Sequence, residues 1–146
     1  WGGSCFPKDL IEVNNFYKEG EVMLPLISNI IESNVIQTKW TVDKLTSILI
    51  NENIKSVLLI GAAFKEDTDD LRNSPTLDIY KMLHQKDVNT FIYDEMVELG
   101  EYNSVDNLDE ISEKTLVVLM YPVKKILMER IESIITDTNS ILYTPW

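Results

Sequence analysis

Ser56-Val57-Leu58-Leu59-Ile60-Gly61 carries an unbroken apolar run that ends on glycine. From Val57 to Ile60 no polar residue falls on alternate positions, so neither face can be turned to water, and the run predicts a parallel β-strand covered on both sides. Downstream, Ser74-Pro75 marks a helix start, and a helix is expected over residues 75–85. A strand over 88–94, a mixed segment, a strand over 115–121, a helix over 122–135 and a final strand over 140–143 follow. Strands alternating with helices call for right-handed crossovers and a parallel sheet, a small Rossmann-like unit. Ligands of such sheets sit beyond the carboxyl ends of the strands, here the loops that begin at Gly61, Asp94 and Tyr121.

Upstream of the strand the periodicity changes to that of helices. A helix over 7–18 has Pro7 in its first turn and Gly20 after its end. A second, over about 21–51, carries a stripe of Leu24, Ile27, Ile31, Val35, Thr38, Val42, Leu45 and Leu49 at intervals of three and four. At 1.5 Å per residue it would run roughly 45 Å, longer than a small unit can cover. Such a helix bridges domains or packs on a second copy, and Trp40 is either a dimer anchor or an ordinary core residue. The fold class is therefore α/β, a long central helical segment followed by a small parallel-sheet domain, divided as residues 1–52 and 53–146.

Composition narrows the function classes. The 146 residues are 45% hydrophobic, enough for a sizeable core, and 13 Lys and Arg stand against 24 Asp and Glu for a net charge of -11. Nucleic acid and anionic membrane surfaces are repelled at long range, and no apolar stretch is long enough to span a bilayer. The single cysteine, Cys5, excludes an internal disulfide and fits a reducing, cytoplasmic compartment. The chain opens on a Gly-Gly loop with neither an initiating Met nor a secretory leader, and it reads as a fragment.

Two constellations could carry chemistry. In Gly2-Gly3-Ser4-Cys5-Phe6-Pro7-Lys8-Asp9 a cysteine precedes a helix start and lies near a lysine, two features that favour the nucleophilic thiolate. The glycines allow close backbone approach to a ligand, and Asp9, one turn along, could handle water. The competing reading is a buried, inert thiol. The second constellation, residues 61–75, is a loop at the sheet's binding end. Lys65 and Arg72 can pair with phosphates, Phe64 can flank a base or sugar, and Asp67, Asp69 and Asp70 can orient the two cations. It reads equally as a solvated polar loop. Its acidic run lacks the glycine and distal Glu of a calcium loop, and no G-x-G-x-x-G advertises a dinucleotide site. Asp94 either holds a ribose hydroxyl or starts a turn. His84, with no second His or Cys nearby, interacts with its helix terminus and is no metal ligand. Met82, Met96, Met120 and Met128 fall at core-compatible places.

Taken together, the two constellations resemble the paired motifs of the UDP-glucose/GDP-mannose dehydrogenase family, nearest its members that act on UDP-glucose, and with the segment between them they cover most of the chain. By that resemblance Cys5 would be the catalytic nucleophile and Asp9 a water-activating or charge-stabilising acid. Gly2, Phe64 and Lys65 would contact substrate, Lys8 and Arg72 would contact NAD, and Asn34 matches a recurrent family asparagine. The implied reaction is a two-step oxidation of a nucleotide sugar through a thiohemiacetal and a thioester on Cys5, with product used in polysaccharide biosynthesis. The implied architecture puts an NAD-binding domain first, the long helix in the middle as a homodimer interface and the UDP-sugar domain last. Only the last two are expected here, with the N-terminal NAD-binding domain absent and the fragment inactive alone. The tail, Ile141 to Trp146, departs from the family in lacking a basic residue. GDP-mannose or another UDP-hexose is the alternative substrate, and a non-catalytic nucleotide-sugar-binding or dimerisation module is the alternative function.

Overall fold

A computed structural model describes residues 2–21 and 24–145. Helices α1 (Phe6–Glu19) and α2 (Pro25–Glu52) lead into β1 (Ser56–Ile60), α3 (Pro75–His84), β2 (Asn89–Tyr93), a 3-10 turn (Leu108–Glu110), β3 (Leu116–Leu119), α4 (Lys125–Thr138) and β4 (Ile141–Tyr143). The four strands form one parallel sheet in the order β2-β1-β3-β4. β1 and β3 are buried along their whole length, whereas β4 at one edge is only half-buried.

Strand alternation divides the core into two layers. Val57 and Leu59 of β1 and Leu116 and Val118 of β3 pack with Val42, Leu45 and Leu49 of α2 and with Leu77 and Leu83 of α3. Leu58, Ile60, Val117 and Leu119 pack on the other face with Ile131 and Ile134 of α4 and with Leu108. The apolar run that defines β1 thus places helices on both faces. Its polar neighbours are paired at the opposite end of the sheet, where Ser56 Oγ lies 2.9 Å from Thr115 Oγ1 and the Thr115 N–H donates to Ser140 Oγ at 2.9 Å.

α2 is 28 residues long, about 42 Å. It opens at Pro25, not near residue 21, and Val22 and Met23 of the expected helix lie outside the described residues. Proline is best tolerated in a first turn, which fixes the start there. The expected apolar stripe splits: Val42, Leu45 and Leu49 are buried under the sheet, while Val35 is exposed. The helix stops at Asn53, which takes the left-handed conformation (φ 51) as its N–H donates to the Ile50 carbonyl at 3.3 Å and the Ile54 N–H reaches Leu49 O at 2.9 Å. This double bond with a buried residue after it is a Schellman stop.

Three other expectations are corrected. α4 begins at Lys125, not at residue 122, because Pro122 and Val123 line a cleft at the end of β3 before the chain turns helical. Ser74 occupies the N-cap position of α3 without capping it; its hydroxyl donates to the Ala62 carbonyl and ties the helix start to the first loop. Met96 is exposed rather than core. His84 is exposed at the end of α3, stacked on Tyr80. Among the described residues no helix is long and apolar enough to cross a membrane.

Gly61 follows β1 with φ +98, and an added β-carbon would lie 2.5 Å from Tyr121 Cζ. Its N–H donates to Tyr93 O (2.9 Å) and its carbonyl accepts from Thr76 Oγ1 (2.8 Å), so the backbone cannot rotate away. Gly61→Ala should lower unfolding free energy by about 2 kcal/mol or more, since the left-handed region alone costs a β-carbon about 1–2 kcal/mol. Tyr121→Ala in the same chain should recover only part of the loss, because it relieves the ring contact and not the dihedral. Urea denaturation followed by circular dichroism measures both.

Candidate active site

The two constellations meet. Gly3 N–H donates to the Asn73 carbonyl at 3.4 Å, and the Asn73 side-chain amide donates back to the Gly3 carbonyl at 3.0 Å. A β-carbon on Gly2 would collide with the Asn73 carbonyl and with the Pro75 ring, and one on Gly3 (φ +90) would sit 2.9 Å from the Phe64 ring. Glycine at both positions is what lets the two loops touch.

Cys5 occupies the N-cap position of α1 and is an exposed free thiol, which removes the buried alternative. Ser4 Oγ lies 3.7 Å from its sulfur. Asp9 stands one turn on, its N–H bonded to the Cys5 carbonyl at 2.9 Å, with an exposed side chain. Lys8 is also exposed and pairs with Glu12 at 3.6 Å along the helix.

On the facing loop, Phe64 is half-buried and Lys65 Nζ lies 5.5 Å from its ring centroid, over the ring. Asp70 grips Arg72 as a fork: Nε donates to Oδ1 at 2.9 Å, a terminal nitrogen donates to Oδ2 at 2.8 Å, and the Arg72 main-chain N–H donates to Oδ1 at 2.9 Å. These hydrogen bonds hold the Asp70 carboxyl down to about 2. Arg72 is pushed up, first by its hydrogen bond and charge interaction with Asp70 and, to a smaller degree, by Cys5. The guanidinium, held by Asp70, thus lies within electrostatic reach of the thiol. Asp67 does not steady Lys65 or Arg72; its carboxylate accepts from Lys124 Nζ at 2.7 Å, a bond that raises the Lys124 pKa and links this loop to the start of α4.

A second feature lies beside this loop, where the strand order reverses between β1 and β3. An open cleft of about 100 Å³ is lined by the apolar Ile60, Val123 and Leu127 with Tyr93, and by Glu66, Asp67, Asp94, Glu95 and Lys124. Asp94 behaves as a turn residue: Oδ1 accepts the Met96 N–H at 2.8 Å, and Oδ2 accepts the Ala62 N–H at 2.7 Å and the Tyr121 hydroxyl at 3.1 Å. Burial, then the Asp94 charge, pushes the Tyr121 phenol well up, so it stays a donor. The four carboxylates against one ammonium repel phosphates. The exposed cations Lys65 and Arg72 lie instead on the loop that faces Cys5.

Sequence reasoning missed Asn73, Tyr121 and the Asp67–Lys124 pair. Asn73 left one trace, since asparagine is among the few residues that take the left-handed backbone (φ 50) readily. Asn34 sits half-buried on α2, its carbonyl accepting from the Thr38 hydroxyl at 3.1 Å.

The sequence profile of the UDP-glucose/GDP-mannose dehydrogenase family, UDP binding domain, matches residues 58–142. The chain is 34% identical over 110 residues to the UDP-glucose 6-dehydrogenase of Rickettsia felis, across 75% of this chain and 24% of that protein. It is 30% identical over 142 residues to the GDP-mannose 6-dehydrogenase of Pseudomonas savastanoi pv. phaseolicola, across 97% of this chain and 30% of that one. In three dimensions it is similar to a GDP-mannose dehydrogenase from Pseudomonas aeruginosa solved as a ternary complex, with a TM-score of 0.79 and 25% identity over 99% of this chain and 36% of that one. The chain spans about a quarter to a third of the length of these curated relatives.

The Asp70–Arg72 fork gives a pH signature. A carboxyl depressed on folding contributes stability above its unfolded value, and the contribution is lost as pH falls through the folded one, here about 2. An NMR titration of the Asp70 carboxyl carbon should place its midpoint near there, and Arg72→Ala should raise it only part of the way toward the usual aspartate value of about 3.9, because the main-chain N–H of residue 72 still donates to the carboxylate.

Proposed function

Because the chain belongs to the UDP-glucose/GDP-mannose dehydrogenase family, we propose that it is the thiol-bearing, nucleotide-sugar-binding part of an NAD-dependent enzyme that oxidises UDP-glucose to UDP-glucuronate. The observation that carries this reading is the docking of the Cys5 loop on the loop of Phe64, Lys65 and Arg72. It brings a nucleophile, a flat apolar face and two cations to one side of the sheet. Lys65 and Phe64 suit the diphosphate and the sugar or base of the substrate, and the acidic cleft turns the same phosphates away.

Two molecules of NAD, bound in turn, would each take up one hydride, the first as the alcohol becomes an aldehyde and the second as the thiohemiacetal becomes a thioester. The residues present do not form a complete site for it. The chain has no glycine-rich phosphate loop, and the switch-point cleft where a dinucleotide would lie is acidic. Arg72, held by Asp70, suits one pyrophosphate contact, while Lys8, turned along α1 toward Glu12, offers a weaker one. The main cofactor site in this reading lies in an additional dinucleotide-binding domain. Cys5 adds through its thiolate sulfur to the aldehyde carbon, forming a C–S bond that keeps the intermediate from escaping. Asp9, one helical turn away, accepts a proton from the water that splits the thioester, which releases the acid and restores the thiol. The Rickettsia and Bacillus UDP-glucose 6-dehydrogenases match at 31–37% identity, against 30–31% for the GDP-mannose enzymes, and favour UDP-glucose as the substrate.

The 146-residue chain should bind UDP-glucose at about millimolar Kd, with Lys65→Ala weakening binding about tenfold, the loss of one charge-assisted contact. Titration calorimetry with UDP-glucose and GDP-mannose in parallel tests this. Tighter GDP-mannose binding would move the substrate assignment, and failure of both to bind would remove it. Reduction of NAD, followed by absorbance of the reduced nicotinamide, should need a dinucleotide-binding domain added to the chain and should vanish with Cys5→Ala.

A homodimer through α1 and α2 belongs to the same proposal. Ile11, Val13 and Phe16 of α1 and Leu26, Val35, Ile36 and Trp40 of α2 are all exposed, which fits a helical face covered by a second copy. Sedimentation should give a dimer that Trp40→Glu converts to monomer. A parent chain that stays monomeric at high concentration would reject the interface.

A further inference from the structure

Resting on the reading of Cys5 as the nucleophile, we propose that Asn73 is a positioning residue for it, a two-point clasp that holds the cysteine loop against the loop carrying Arg72. The main-chain carbonyl of Asn73 accepts the Gly3 N–H at 3.4 Å, and its side-chain amide donates to the Gly3 carbonyl at 3.0 Å. Both polar groups of one peptide-linked residue are therefore satisfied by a single partner residue. In this clasp both residues have positive φ, Asn73 at 50 and Gly3 at 90.

The need for it follows from the sequence around the thiol. Gly2 and Gly3 give the segment before Cys5 more conformational freedom than any other pair of residues would, and among the described residues the exposed Cys5 sulfur has Ser4 Oγ, at 3.7 Å, as its hydrogen-bond neighbour. Addition to a carbonyl carbon requires the sulfur within about 3–3.5 Å along a narrow approach, which a free Gly-Gly segment does not maintain. The Phe64 ring supports the α-carbon of Gly3 from one side but has no directional bond to fix it. Asn73 supplies the direction. It follows Arg72 in the chain, so the bond to Gly3 joins the cysteine loop to the main chain next to the residue whose guanidinium Asp70 holds.

Asn73→Asp keeps the shape and the tolerance for positive φ but cannot donate, and Asn73→Gly keeps the backbone carbonyl and the φ while removing the side chain. One adds a charge and the other does not, so a shared effect reports the lost amide bond. In the 146-residue chain, amide hydrogen exchange at Gly3 should quicken about tenfold in both variants, while β1 and β3 keep their protection. With a dinucleotide-binding domain supplied, kcat should fall about tenfold with KM for UDP-glucose within about twofold of the parent, and Asn73→His, which restores a donor, should recover part of kcat. These magnitudes correspond to the loss of one neutral hydrogen bond. Unchanged Gly3 exchange, or a loss confined to KM, would overturn the proposal. A parent chain that oxidises no nucleotide sugar would count against the functional reading, while the exchange result alone decides the clasp.

Discussion

Burial of β1 on both faces is the constraint from which the other elements take their places. Four consecutive large apolar side chains, Val57 to Ile60, are at most 1% exposed. Each fully buried side chain of this kind is worth about 1.5–3 kcal/mol. To cover alternating residues on both sides the chain must lay α2 and α3 on one face and α4 on the other, which obliges every strand to run in the same direction. Parallel strands put all their carboxyl ends at one edge. The loops after β1, β2 and β3 converge there, and the residues that could carry chemistry come from them and from the loop that precedes α1.

Electrostatics then separates two regions that the fold places side by side. The cleft at the strand reversal holds four carboxylates and one lysine, and its best-ordered polar group, Asp94, is fully engaged by Ala62, Met96 and Tyr121. The adjacent face holds Lys65, Arg72 and the thiol. A fold that commonly receives nucleotide phosphates at the reversal has here a cleft lined by apolar and acidic side chains, and Lys65 and Arg72 lie on the neighbouring loop.

The elements were legible because each rests on a local pattern: the unbroken run of β1, the three-and-four spacing of α2 and Pro75 at the start of α3. Pro122 and Val123 fit a first helical turn by local pattern, yet they lie outside α4, whose N-cap is the extended Lys124. The exposure of Val35 and Met96 depends on what stands opposite, which periodicity does not encode. At the site, the residue types were visible in the two motifs, but their partners were not. Asp67 lies two residues from Lys65 in sequence and pairs instead with Lys124, 57 residues away. Ser74 has the identity of a helix cap and spends its hydroxyl on Ala62. Short polar side chains have several acceptors within reach, and tertiary placement chooses among them.

The joint between α2 and β1 has a mechanical consequence. The Ile54 N–H bond to Leu49 O and the packing of Val42, Leu45 and Leu49 against the sheet hold the C-terminal part of α2, so residues 25–40 project from it as an arm about 24 Å long. Over such an arm a tilt of about 5° sweeps the Pro25 end through roughly 2 Å. Reacting groups tolerate errors of only about 0.5 Å. α1 meets α2 near that swinging end, where Ser28 Oγ donates to Asn14 Oδ1 at 2.8 Å. The helix pair can therefore deliver the thiol to its neighbourhood but cannot set its aim. Precision at the sulfur has to come from contacts at the sheet end, where the lever arm is zero.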